Sequence, residues 1–156
     1  MKTAHRNASR AKRRYTADPM AMFKVMGRIE PYTEEDVVQL TLPSRLAFEA
    51  IKNGTANTDH FDELAVTLNS TLVRSEAIDP FCVETCLTAQ RALLRCKERY
   101  LRTQKFGWDG LGLQEIPPAL DLHEEIMRSS NPNLMTVALT EQYNRIQRGQ
   151  VNGVWK

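Results

Sequence analysis

No apolar run in the 156-residue chain approaches the roughly 18 residues that a membrane span requires. The basic opening stretch has no apolar segment behind it, which excludes a secretory signal. It is Arg-rich and acid-poor like a mitochondrial transit peptide, but it lacks the apolar face of such peptides. The three cysteines are an odd number and form no CxxC pair, so reduced thiols in a cytoplasmic protein are expected. The chain contains no GxSxG elbow, no SxxK, no GxxxxGK[ST] and no GxGxxG. Aromatic residues are sparse at 7%, and only Tyr15 follows the N-terminal arginines. With no helix-turn-helix signature, RNP motif or zinc finger, sequence-specific readout of nucleic acid has little support. There is no repeat of fixed period and no low-complexity tract beyond the basic head.

What is present is enough to fold. At 42% hydrophobic, a chain of this length suits one domain that buries roughly two-thirds of its unfolded surface. The net charge of +2 hides an asymmetry. Residues 1–28 carry Lys2, Arg6, Arg10, Lys12, Arg13, Arg14, Lys24 and Arg28 against Asp18 alone, a balance of +7 that leaves −5 for the rest. A basic head on a mildly acidic body suggests an interaction tail. Its RAKRRY hexamer also passes for a nuclear import signal, as many basic hexamers do by chance.

Residues 1–19 read as a disordered basic arm that ends at Asp18-Pro19, because proline disfavours helix in the residue before it. Residues 20–149 read as a helical domain, and 150–156 as a loose tail in which Trp155 has the means to dock. Within 20–43 the pattern is ambiguous. Thr33 suits an N-cap before Glu34, Glu35 and Asp36, yet DVVQLTLP also alternates like a short strand. Ser44 is expected to cap a helix with Leu46, Ala47, Ala50 and Ile51 on one face and Gly54 past its end. Thr58 is expected to cap the next, whose stripe is Phe61, Leu64, Ala65, Leu68 and Leu72. Asp79-Pro80 opens the longest helix, to about Gln104. A fourth begins at Pro117 or Pro118 and runs to about Arg128. A fifth begins at Asn131-Pro132 and ends near Gly149, with Met135, Ala138, Leu139, Gln142, Tyr143 and Ile146 as its stripe. The intervening FGWDGLGLQE is glycine-rich and reads as a connecting loop rather than a ligand loop.

Cys82, Cys86 and Cys96 fall within an arc of about 80° on the long helix. That arc also holds Ala89, Leu93 and Tyr100, so the thiols read as core rather than metal ligands. His123 in LHEEIM sits in half of an HExxH, but Met127 stands where the second histidine belongs. His5 and His60 have no histidine near them. Asp59, Asp62 and Glu63, and Asp121, Glu124 and Glu125, read as solvated charge on helix faces rather than an acid–base pair. No catalytic constellation assembles, no cofactor is implied, and the chain reads as something other than an enzyme. Opposite the apolar arc, Arg91, Arg95, Arg99, Arg102 and Lys105 share a wedge of about 120°. Such a stripe tracks phosphates or an acidic partner, or it is simply a solvated face that Glu84 and Glu98 partly neutralise. Both readings stay open.

Four stretches in this order resemble small helical accessory proteins of proteobacterial phages, prophages and plasmids: RAKRRYTADPM, LPSRLAFEAIKNGTANTDHFDELAVTLN, AQRALLRCKERYLRTQKFGWDGLGLQE and ALDLHEE. The resemblance implies a helical accessory protein of a mobile element and transfers no catalytic residue. Its setting implies DNA-associated proteins or inhibitors of host machinery, anti-defence proteins included. The expectation is therefore one all-α domain, an irregular bundle of four or five helices. Its core is expected to hold Phe61, Leu64, Leu68, Leu72, Cys86, Leu93, Tyr100, Ile126, Leu139 and Ile146. The basic arm and the arginine stripe are expected to engage nucleic acid or a nucleic-acid-bearing host complex, with no membrane involved. Substitution of Arg91, Arg95 and Arg102 should weaken that binding without unfolding. The rivals are a protein-only inhibitor or adaptor using apolar residues such as Met20, Phe23, Trp108 or Trp155, and a small enzyme whose site assembles in space.

Overall fold

A computed structural model describes residues 29–150; the basic arm, residues 20–28 and the segment 151–156 lie outside it. Five helices make up the described residues: α1 (Glu34–Lys52), α2 (Thr58–Ser75), α3 (Pro80–Thr103), α4 (Gly112–Arg128) and α5 (Pro132–Gln147). They form an all-α bundle in which α2 packs against each of the other four.

The first helix settles the ambiguous segment from Glu34 onward. Thr33 accepts from the Asp36 N–H, and the Asp36 carboxylate accepts from the Thr33 N–H, a complete capping box. The helix then runs straight through Pro43, and Ser44 is a buried interior residue rather than a cap. Proline removes one backbone donor there. A buried stripe of Val37, Thr41, Ser44, Phe48 and Ile51 continues on either side of it, and that packing holds the helix together. Leu46, expected on the inner face, points outward.

Asn57, not Thr58, caps α2. It accepts from the His60 N–H while His60 Nδ1 accepts from the Asn57 N–H. Below its apolar stripe α2 buries Thr67, Ser70, Thr71 and Ser75. The last three hydroxyls donate to carbonyls of the preceding turn, so none of the three is stranded where neighbouring helices approach. The third helix opens as expected, with the Asp79 carboxylate accepting from the Phe81 N–H and Pro80 at the first position. It ends on Gln104 in the left-handed region, φ +58°.

The connection from Lys105 to Leu111 is not a surface loop. Phe106 and Trp108 are buried in the main core. Phe106 stacks on Tyr100 and Phe61, Trp108 stacks on Phe48, and the indole N–H donates to the Phe48 carbonyl at 3.1 Å. The fourth helix starts five residues before the prolines expected to open it. Asp109 accepts from the Gly112 N–H at 2.6 Å and supplies the missing cap, and Pro117 and Pro118 fall inside. The fifth helix begins at Asn131-Pro132 as expected and buries Met135, Ala138 and Gln142. Its Leu139, Tyr143 and Ile146 are 45%, 61% and 46% exposed, so the expected stripe is only half buried. Of the other expected core residues, Phe61, Leu64, Leu68, Cys86, Leu93 and Ile126 are buried, and Leu72 and Tyr100 partly so.

Candidate anion-binding face

Of the five cations expected in one wedge, Arg91, Arg95, Arg99 and Arg102 lie on α3, whereas Lys105 follows its left-handed end at Gln104, and the five divide into two groups. At the N-terminal end they are consumed by carboxylates. Arg91 donates to Glu84 and to the Thr88 hydroxyl, each at 2.7 Å. Arg95 donates through Nε to Asp109 at 2.6 Å and through Nη2 to Glu115. These bonds hold the Arg95 guanidinium more firmly protonated than usual, and they hold the Asp109 carboxyl below the ordinary carboxylate range. Arg95 thus ties α3 to the 105–111 connection and to α4. Its first duty is structural.

The C-terminal group is different. Arg99 lies against Gly107 and donates weakly to the Trp108 carbonyl, at 3.3 Å. Arg102 and Lys105 are exposed, and their side chains make no ion pair among the described residues. Two adjoining depressions open beside them. One, of about 350 Å³, lies among Arg95, Glu98, Arg99 and Arg102. The other, of about 450 Å³, is bounded by Lys52, Asn53, Gly54, Arg99 and Lys105 above the edges of Phe106 and Trp108. Arg99, Thr103 and Gly107 belong to both. Lys52 joins the group from the end of α1; its pairing with Glu49 is long at 3.3 Å and both side chains are about half exposed. Because α1 and α3 both end here, their C-terminal carbonyls offset part of this positive charge. The remainder is a largely cationic rim, interrupted by Glu98 and Asp109, around a floor of aromatic edges and backbone, and it is suited to holding an anion.

Lys2, Arg6, Arg10, Lys12, Arg13 and Arg14 lie outside the described residues. Sequence reasoning found Arg99, Arg102 and Lys105 but gave no sign of Lys52, which reaches the same place from another helix. Nor did it find the Arg95 partners, because that pairing crosses a connection whose path is set by buried aromatic rings.

The other chemistry-bearing residues lie apart. Cys86 and Cys96 are buried and Cys82 is partly so. Burial raises the Cys86 and Cys96 thiols above the ordinary range, which keeps them protonated. Among the described residues no three of His, Cys, Asp and Glu are grouped to hold a metal ion. His60 is spent on its capping box, and His123 is buried against Thr71. No described helix is long and apolar enough to cross a membrane. No family model matches the chain, and neither a curated protein nor a solved structure matches it.

Proposed function

We propose that this chain is a non-catalytic binding protein, of the mobile-element kind its sequence resembles, that engages the phosphates of nucleic acid or of a nucleoprotein. The observation that carries this reading is the cluster of Arg99, Arg102, Lys105 and Lys52. Arg99, Arg102 and Lys105 are the part of the wedge without an ion pair among the described residues, and Lys52, which pairs with Glu49, adjoins them from α1. The N-terminal basic arm adds a second cationic element in the same chain. Contacts of this kind are made to the backbone and carry no base readout. The reading therefore implies weak sequence preference and steep dependence on salt.

The test is a salt titration of binding to short mixed-sequence DNA duplex, single-stranded DNA and RNA, read by fluorescence anisotropy. Replacing Arg99, Arg102 and Lys105 together by alanine should lower affinity at least tenfold. It should also flatten the log–log salt slope by about 2–3, because each phosphate contact contributes about 0.9. Arg91→Ala should change neither affinity nor melting temperature. Arg95→Ala should lower the melting temperature, because its bonds to Asp109 and Glu115 are lost. A triple variant that binds like the wild type, with the same salt slope, removes this reading.

One observation favours a second reading, a protein-only adaptor. Val38, Leu42 and Leu46 repeat every four residues along α1 and are each about half exposed. A partner held by that stripe would survive high salt and nuclease, whereas phosphate contacts would not.

A further inference from the structure

Between α2 and α5 runs an apolar groove of about 460 Å³, lined by Asp62, Ala65, Val66, Asn69, Gln142 and Ile146. It is independent of the cationic face. Gln142 is only 7% exposed, and its Oε1 is buried with no hydrogen-bond donor among the described residues. Buried acceptors in folded proteins almost always have a donor. At the rim, Asp62 makes no ion pair among the described residues. Burial and the neighbouring Asp59 both raise its affinity for a proton. The groove therefore presents apolar walls, one unmatched acceptor and one unmatched carboxylate. Its complement is a short apolar segment with an N–H donor and a cation.

The described chain ends one turn past the groove residue Ile146. Gly149 adopts φ +68°, its N–H donates to the Ile146 carbonyl, and the Gln150 N–H donates to the Arg145 carbonyl at 2.8 Å. This Schellman turn folds the backbone over the last helical turn instead of continuing along the axis. Gln150 is thereby brought back beside Arg145, next to the groove residue Ile146. The sequence that follows is VNGVWK. From Gln150 to Trp155 is five residues, a reach of up to about 17 Å, whereas Gln142 lies about 6 Å along the helix from Ile146. A second copy is a poorer occupant. The exposed large apolar residues lining the groove are Val66 and Ile146, each about half exposed, which falls short of the roughly 800 Å² per partner of a stable interface.

We propose that the α2–α5 groove is a docking site for the chain's own segment 151–156, with the Trp155 indole N–H donating to Gln142 Oε1 and Lys156 paired with Asp62. A tryptophan suits this place because it carries a large apolar body and a single donor. The groove is then a recognition site for an apolar Trp-Lys segment, and any competing peptide must carry the same chemistry.

The experiment compares full-length wild type with Trp155→Phe, so that the difference in tryptophan emission reports Trp155 while Trp108 contributes equally to both. Trp155 should emit at shorter wavelength than the free peptide VNGVWK, and acrylamide should quench it several-fold more slowly. Ile146→Lys, at a half-exposed position, should return Trp155 to peptide-like emission and quenching with helicity unchanged. Val66→Lys on the opposite wall should do the same. The proposal is overturned if Trp155 in the wild type is quenched like the free peptide. It is equally overturned if both lysine variants leave Trp155 protected. Protection that appears only with dimer formation in sedimentation would give the groove to a second copy and also overturn it.

Discussion

His123 shows what a single residue reveals once its neighbours are known. The Thr71 hydroxyl is 2.7 Å from the Thr67 carbonyl and 2.9 Å from His123 Nδ1. The buried imidazole is thus held through Nδ1 against a hydroxyl of another helix. Burial, together with the nearby Arg45 guanidinium, pushes the imidazole down to about 4. The unfolded chain, with a histidine near 6.5, binds more protons than the folded one between those values. Stability is therefore full above pH 6.5 and falls as pH drops toward 4. The expected loss from His123 is about 2 kcal/mol between pH 6.5 and 5. Urea titrations across that range check it, with His123→Asn expected to flatten the dependence. In sequence, His123 is legible as a lone histidine without a ligand partner. Its environment is not, because Thr71 lies on another helix.

At the scale of the element, what was legible is what is local. Asp79-Pro80 and Asn131-Pro132 start helices where sequence reading places them, since a cap is decided within four residues, and Thr33, left open between a cap and a strand, is a cap. Ser44, Pro117 and Pro118 look like starts by the same local rules, yet lie inside helices. There the buried stripes of α1 and α4 outweigh the lost backbone bonds, and a stripe's partner cannot be read from one segment. The end of α3 gives a prediction. Gln104 holds φ +58° with its N–H on the Tyr100 carbonyl, a conformation that costs a side-chain-bearing residue more than glycine. Its side chain makes only a long 3.4 Å bond to that same carbonyl. Gln104→Gly should therefore stabilise the protein by about 0.5–1 kcal/mol, read as a shift in denaturation midpoint at unchanged slope.

At the scale of the whole molecule, the succession of capped segments with apolar stripes told the fold class, and the charge asymmetry suggested an interaction tail. It did not tell which cations remain available. Residues 29–150 hold twelve Lys and Arg against eighteen Asp and Glu, and the pairings that consume cations span helices. Arg45 reaches Asp121 and Glu124, Arg128 reaches Glu34, and Arg145 reaches Glu76. One feature of the packing bears on how the chain is made. The main core runs from Ala47 to Leu120 and takes no side chain from α5, whose backbone rests on α2 alone. A ribosome delivers residues in order, so every member of that core leaves it ahead of Pro132. The nascent protein can close around α2 first and receive its last helix as a cover, with Met135 seating on Val37 and Met127. A chain halted after Ser130 should accordingly keep the near-ultraviolet dichroism of Trp108 and melt cooperatively at a lower temperature; a non-cooperative melt would show that the cover is needed before the core can set.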